Sequence, residues 1–318
     1  MPITSPQFAP LSQLAADLKS GRTTSRALVE AALERIADRA GQGSTVFLQV
    51  DAEHVRAADD AHDALRRAGT VLSPLAGIPV SIKDLFDIAG QVTRAGSKVL
   101  ENAAPVKADA VTVARLCRTG AVIVGRTNMS EFAFSGLGFN PHYGTPRSPW
   151  HADVPGEARI AGGSSLGAAA SVADGMAAVA LGTDTGGSIR IPAALCGLTG
   201  FKPTASRIPK QGPLSKTLDS FRPIGVSVAC CALVDRILAG RDPGVPATRP
   251  LDGVCFGVLT NYVTDGVEAS VANAVAAAIN HLAAGALVED VRFAPLDRLP
   301  EINRYPLVAI EAYAWLAS

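Results

Sequence analysis

The chain has 318 residues, 48% of them hydrophobic, which is enough to bury a large core. Its 29 basic and 29 acidic residues cancel, and no basic run is present that could neutralise a row of phosphates. Nucleic acid is therefore not an expected partner.

The predicted elements alternate along the chain. LSQLAADLKS and TTSRALVEAALERIADRAG read as two helices ending at Gly21 and Gly41, the second opening on threonines able to cap it. Residues 51–69 predict a third helix, with Arg66 and Arg67 at its negative end. GIPVSIKD reads as a short apolar strand, and VTVARLCRTG followed by AVIVGRT as a helix returning into a buried strand. Between Asn128 and Arg159 periodicity is lost and Gly, Pro and aromatics dominate, the mark of a functional loop region. A glycine-rich serine loop, IAGGSSLG, follows, then a small-residue helix (SLGAAASVADG), a strand (MAAVALG) and a second serine loop, GTDTGGSIR. VSVACCALVDRILAG, GVCFGVLT, VEASVANAVAAAINHLAA and ALVEDVRF continue as helix, strand, helix and strand, and AIEAYAWLAS ends the chain inside a further helical pattern. The expectation is an α/β fold in one domain: helices over 1–70, a core over about 70–240 and a C-terminal part cut short.

The five cysteines, Cys117, Cys196, Cys230, Cys231 and Cys255, have no Cys/His spacing of a zinc site and read as small buried hydrophobes of a reducing compartment. MPITSPQFAPLSQL lacks the basic start and apolar run of a signal peptide, and the longest apolar region, ASVADGMAAVALG, is broken by Asp174 and two glycines. A cytoplasmic protein without a membrane span is expected.

The chemistry concentrates in the two serine loops and one upstream lysine. In GTDTGGSIR, the backbone N–H groups of Thr185, Gly186, Gly187 and Ser188 could converge on one point, as a tetrahedral oxyanion requires; losing one such donor costs about 3 kcal/mol of barrier. Asp184 and Arg190 flank that loop with opposite charges and are expected to pair. Ser164 lies in the first loop, where a hydroxyl between a base and a nucleophile relays a proton, being donor and acceptor at once. Lys83 sits in the apolar PVSIKD segment, where desolvation would lower its pKa and leave a neutral amine able to act as base. Strand alternation puts Asp84 on the opposite face. A rival reading takes Gly163–Gly167 as the G-x-S-x-G elbow of α/β-hydrolases, with Ser165 as nucleophile. That fold needs a downstream histidine, and only His281, in an Ala-rich helix, follows the loop.

GGSS…GTDTGGSIR, the IKD lysine, GRTNMSEFA, NPHYGTPRSPW and GLTGFKPT resemble the motifs of the amidase signature family in their usual order, most strongly over residues 70–240. The resemblance implies a mixed β-sheet covered by helices on both faces and a Ser–Ser–Lys triad. Ser188 would be the nucleophile, Ser164 the bridging serine behind a cis Gly163–Ser164 peptide, and Lys83 the base. It implies hydrolysis of a small-molecule amide without metal or cofactor, and places Ala133 and Phe134 in the substrate pocket. SGLGFNPHYGTPR looks more like stand-alone bacterial amidases than the A subunit of the glutamine-dependent tRNA amidotransferase, which stays an alternative, as does a shortened inactive remnant. Leu166 departs from the family, standing where GGSSGG has glycine. A homodimer is one arrangement the sequence leaves open.

Overall fold

The computed structural model describes residues 8–150, 154, 156, 158–208, 215, 217–243, 247–262, 265–302 and 307–316. The chain divides into two compact units, residues 1–245 and 246–318.

In the first unit the opening helices are α1 (Leu11–Ser20), α2 (Ser25–Ala37), the single turn α3 (Gly43–Val46) and α4 (Ala52–Arg67). Their limits follow the expected capping chemistry. Gly21 closes α1 at φ 73°, the Thr24 side chain accepts from Ala27 N–H at 3.0 Å, and Asp51 accepts from His54 N–H at 3.1 Å. One boundary differs from expectation: α2 stops at Ala37, well short of Gly41. Asp38 turns extended, and the chain folds back so tightly that a Cβ on Gly43 would sit 2.0 Å from the Ile36 carbonyl oxygen. That close return, rather than a cap at Gly41, ends the helix.

The sheet is built from β1 (Phe47–Gln49), β2 (Pro79–Lys83), β3 (Val122–Thr127), β4 (Val179–Asp184), β5 (Thr199–Gly200) and β6 (Ser220–Gly225). Their spatial order is β1-β3-β2-β4-β6-β5. β2 runs parallel to β3 and to β4, while β1 on β3 and β6 on β4 are antiparallel, so the sheet is mixed. The helices α5 (Val111–Arg118), α6 (Leu166–Ala173), α7 (Arg190–Leu195) and α8 (Val228–Leu238) complete this unit. The α/β architecture expected from the alternating pattern is present.

Strand β6 was not legible in the sequence because Pro223 interrupts SFRPIG. It is tolerated because β5 pairs only with Ile224 and Gly225, so β6 is an edge at the proline. Helix α6, LGAAASVA, is buried on every residue. Small side chains let it press close to the sheet, and the Ser171 and Ser81 hydroxyls share a hydrogen bond of 2.8 Å that pins it to β2. In the second unit β7 (Cys255–Leu259) and β8 (Leu287–Val291) form a parallel pair joined through α9 (Ala269–Ala283). Two helical segments, α10 (Leu299–Ile302) and α11 (Leu307–Leu316), follow. Among the described residues no helix is long and apolar enough to cross a membrane. All five cysteines are free; Cys196, Cys230 and Cys231 are buried as expected, whereas Cys117 and Cys255 are exposed.

Candidate active site

Strand β2 is buried along its whole length and ends at Lys83, whose register partner on β3 is Thr127. Across the other edge Ile82 pairs with Leu181 of β4, which brings Thr183, two residues further on, to the lysine. Lys83 is fully buried. Its Nζ donates to Ser164 Oγ at 2.7 Å and to Thr183 Oγ1 at 2.7 Å. Burial drives its pKa down to about 7, against the pull of Asp219 and then Asp184, which favour the charged form. Asp84, as alternation requires, faces away: its carboxylate accepts from Arg126 Nε at 2.8 Å and from Gly96 N–H at 3.1 Å.

Ser164 is held by a backbone that only glycine permits. The Gly163–Ser164 peptide is cis. A Cβ on Gly163 would meet Ser135 O at 2.6 Å and Gly138 N at 2.7 Å, and one on Gly167 would meet the Asn128 backbone at 2.7 Å. Leu166 falls between these contacts and projects into the core, fully buried. The departure from the family's glycine therefore leaves the serine's backbone setting intact. Ser165 is also buried, with its hydroxyl donating to Thr183 O at 3.3 Å, and is not displayed at the tip of a turn.

Ser188 is half-buried and joined to the same unit through its carbonyl, which accepts from Ser165 N–H at 3.3 Å. Among the described residues no hydrogen bond links the Ser188 and Ser164 hydroxyls. Asp184 shapes the loop. It accepts from Gly187 N–H at 2.8 Å, Ile189 N–H at 3.3 Å and Arg190 Nε at 2.9 Å. Burial opposes its ionisation, yet these donors, Arg190 first, hold its carboxyl below the usual carboxylate range. The pairing of Asp184 with Arg190 is as expected. The free donation expected of Gly187 is not: its N–H is committed to Asp184 because the turn folds over that carboxylate. Thr185 is anchored by its hydroxyl to Asp219, whose other oxygen accepts from Ser215 N–H at 3.0 Å.

Residues 130–142 of the aperiodic stretch pack against the first serine loop. Ser130 N–H donates to Ser164 O at 3.1 Å, and Gly163 N–H donates to Gly136 O at 2.8 Å. Between them Phe132 and Ala133 take left-handed conformations, φ 49° and 60°. Non-glycine residues hold such angles only where the surroundings fix them. Here Phe132 N–H is tied to Ala95 O at 2.9 Å, and Glu131 accepts from Ser97 Oγ at 2.6 Å and pairs with His142 at 2.9 Å. Ala133 packs partly against the core, and Phe134 is exposed.

Three residues at this site went unread in the sequence. Thr183 was not readable from alternation, which puts it with Leu181 on the face of Ile82 rather than that of Lys83. Asp219 and Ile191 carry no local signal. Among the described residues no group of three or more His, Cys, Asp or Glu side chains could hold a metal ion.

The Amidase family model matches residues 27–318, and the chain belongs to that family. It is 42% identical over 287 residues to the A chain of the glutamyl-tRNA(Gln) amidotransferase from Roseiflexus sp. strain RS-1, covering 86% of this chain and 57% of that protein. It is 40% identical over 317 residues to 2-amino-5-chloromuconic acid deaminase of Comamonas testosteroni, covering 96% and 66%. Among solved structures, the native peptide amidase of Stenotrophomonas maltophilia superposes with a TM-score of 0.75 at 30% identity, covering 96% of this chain and 69% of that one. The chain thus spans about two thirds or less of the length of these curated relatives.

Proposed function

We propose that this chain, read as one amidase domain, hydrolyses a carboxylic amide to carboxylate and ammonia through an ester on Ser188. The observation that carries the reading is a buried lysine with a pKa of about 7 whose Nζ lies 2.7 Å from Ser164 Oγ. An amine that is neutral near pH 7 accepts a proton from Ser164, which takes one from Ser188 as the Ser188 oxygen attacks the carbonyl carbon. The Thr185, Gly186 and Ser188 N–H groups face the developing oxyanion. The C–N bond then breaks, Ser164 returns a proton to the departing nitrogen, and ammonia leaves. Water attacks the ester by the same relay and regenerates Ser188.

No metal or cofactor enters this series of steps. A cytoplasmic setting, the absence of a nucleic-acid partner and self-association as a homodimer belong to the same reading. Incubation with a fluorophosphonate probe followed by peptide mapping tests it. Labelling at Ser188, lost in Lys83→Ala, supports the scheme. Labelling at Ser165 instead, or none on folded protein, overturns it.

The 42% identity to an amidotransferase component favours a second reading, in which the chain releases ammonia from glutamine inside a larger complex. Turnover of simple amides by the chain alone selects the first reading. Activity confined to glutamine and dependent on added partner proteins selects the second.

A further inference from the structure

Ile191 lies three residues beyond Ser188, in the first turn of α7, with its N–H donated to Gly187 O at 2.8 Å. Its side chain covers glycines from three separate segments. A Cβ built on Gly187 would lie 2.7 Å from Ile191 Cδ1, one on Gly136 3.1 Å from the same atom, and one on Gly162 3.2 Å from Ile191 Cγ2. One turn further along α7, Leu195 Cδ1 lies 2.8 Å from the Gly162 position. Ile191 therefore sits where the nucleophile loop, the bridging-serine loop and the 134–139 loop converge.

The surface around that point is apolar and open. Ile191 is 36% exposed, Leu195 42%, Phe134 53% and Leu137 58%. The segment 132–139, FAFSGLGF, has no charged side chain, and 185–195 has one, Arg190. Arg190 is committed to Asp184, donating from Nε at 2.9 Å and from Nη2 at 3.1 Å. A substrate carboxylate placed against these segments would lose water and gain no uncommitted cation from them, which is costly.

Resting on the amidase reading above, we infer that the group attached to the scissile carboxamide is uncharged and apolar, an aryl or branched alkyl group, and that Ile191 sets its size. Apolar contact of this kind discriminates by about ten-fold or more per methylene.

The test is to measure kcat/KM of the full chain for acetamide, isobutyramide, benzamide and the anionic monoamide succinamate. Wild type and Ile191→Ala are compared, with fluorophosphonate labelling of Ser188 run in parallel. We expect wild type to prefer isobutyramide or benzamide over acetamide by about ten-fold or more, and over succinamate by at least as much. In Ile191→Ala the benzamide-to-isobutyramide ratio rises several-fold, because the space vacated admits the ring. The substrate ranking of wild type stands independently of whether the variant folds. Labelling at Ser188 with succinamate as the best substrate, or an unchanged ratio in folded Ile191→Ala, overturns this inference and leaves the amidase reading standing. Absence of both labelling and turnover overturns the amidase reading, and this inference falls with it.

Discussion

The two serine loops look alike in sequence and differ in almost every physical respect. IAGGSSLG is sealed in the core: Gly162, Gly163, Ser164, Ser165 and Leu166 are all buried, with neighbouring backbone crowding Gly163 and Gly167 and the Leu195 and Ile191 side chains covering Gly162. GTDTGGSIR rises out of the same sheet into partial exposure, with Gly186 open to solvent and nothing within 4 Å of where its Cβ would be. The first loop gains its geometry from packing, the second from the charge of Asp184 beneath it. In the proposed scheme that contrast has a use, since a proton passing between Lys83 at the buried end of β2 and Ser188 must cross from a dry interior to a wet site.

The largest expected effect breaks the proposed relay at either end. Ser188→Ala and Lys83→Ala should each lower kcat/KM for an amide by about 10⁴-fold or more, because members of a catalytic unit fail together. Steady-state ammonia release measures it. Retention of more than a tenth of the activity in either variant removes that residue from the chemistry.

Next in size is a change to the sealed loop alone. Leu166→Gly restores the residue of the family pattern, yet it empties a fully buried site at the start of α6. It should cost roughly 3–5 kcal/mol of stability, from lost burial and cavity together with the helix penalty of glycine. A urea midpoint that falls at unchanged m would register it. An unshifted midpoint would mean that the site collapses without cost. The same side chain shows how legibility divides. From sequence alone Leu166 looked like a defect in the catalytic motif, because position in a motif is visible while the direction of a side chain is not. Most elements around Lys83, Ser164 and Ser188 were legible, since β2, β3, β4 and α6 each carry a clear period or an apolar run. Strand β6 was hidden by Pro223, and α7 by its brevity and its own Pro192. Asp219, which anchors Thr185, comes from a segment with no periodicity. What the sequence did not disclose was long-range pairing, and the commitment of the Gly187 N–H to Asp184 is a case of it.

A smaller effect separates the buried end of the relay from the exposed one through pH. In the folded chain the Lys83 pKa is about 7, whereas an unfolded lysine titrates near 10.5. Between those values the unfolded chain holds more protons, so this group makes stability rise with pH across the window; below about pH 7 its desolvation penalty is fully present. Lys83→Met lacks the ionisation. Wild type should therefore gain on the variant by a few kcal/mol between pH 7 and 10, even though Met leaves the Ser164 and Thr183 hydroxyls short of a partner. Parallel stability profiles for the two proteins across that range would show that the lysine is not desolvated.

The smallest effect acts between the two loops. Asp219 is the larger of the two carboxylate influences that raise the Lys83 pKa, and it also anchors Thr185 in the loop that carries Ser188. If neutral Lys83 is the base, kcat/KM should rise with pH through an ionisation near 7. Asp219→Asn removes a negative charge that favours the ammonium, so the limb should move to lower pH. The Asn amide can still accept from the Thr185 hydroxyl, so the plateau rate should change less than the midpoint. The two readouts assign the residue: a shifted midpoint with a near-normal plateau marks Asp219 as acting on the buried base through space. A lowered plateau with an unmoved midpoint would place its whole contribution in the exposed loop, and the ionisation near 7 would then have to belong to a group other than Lys83.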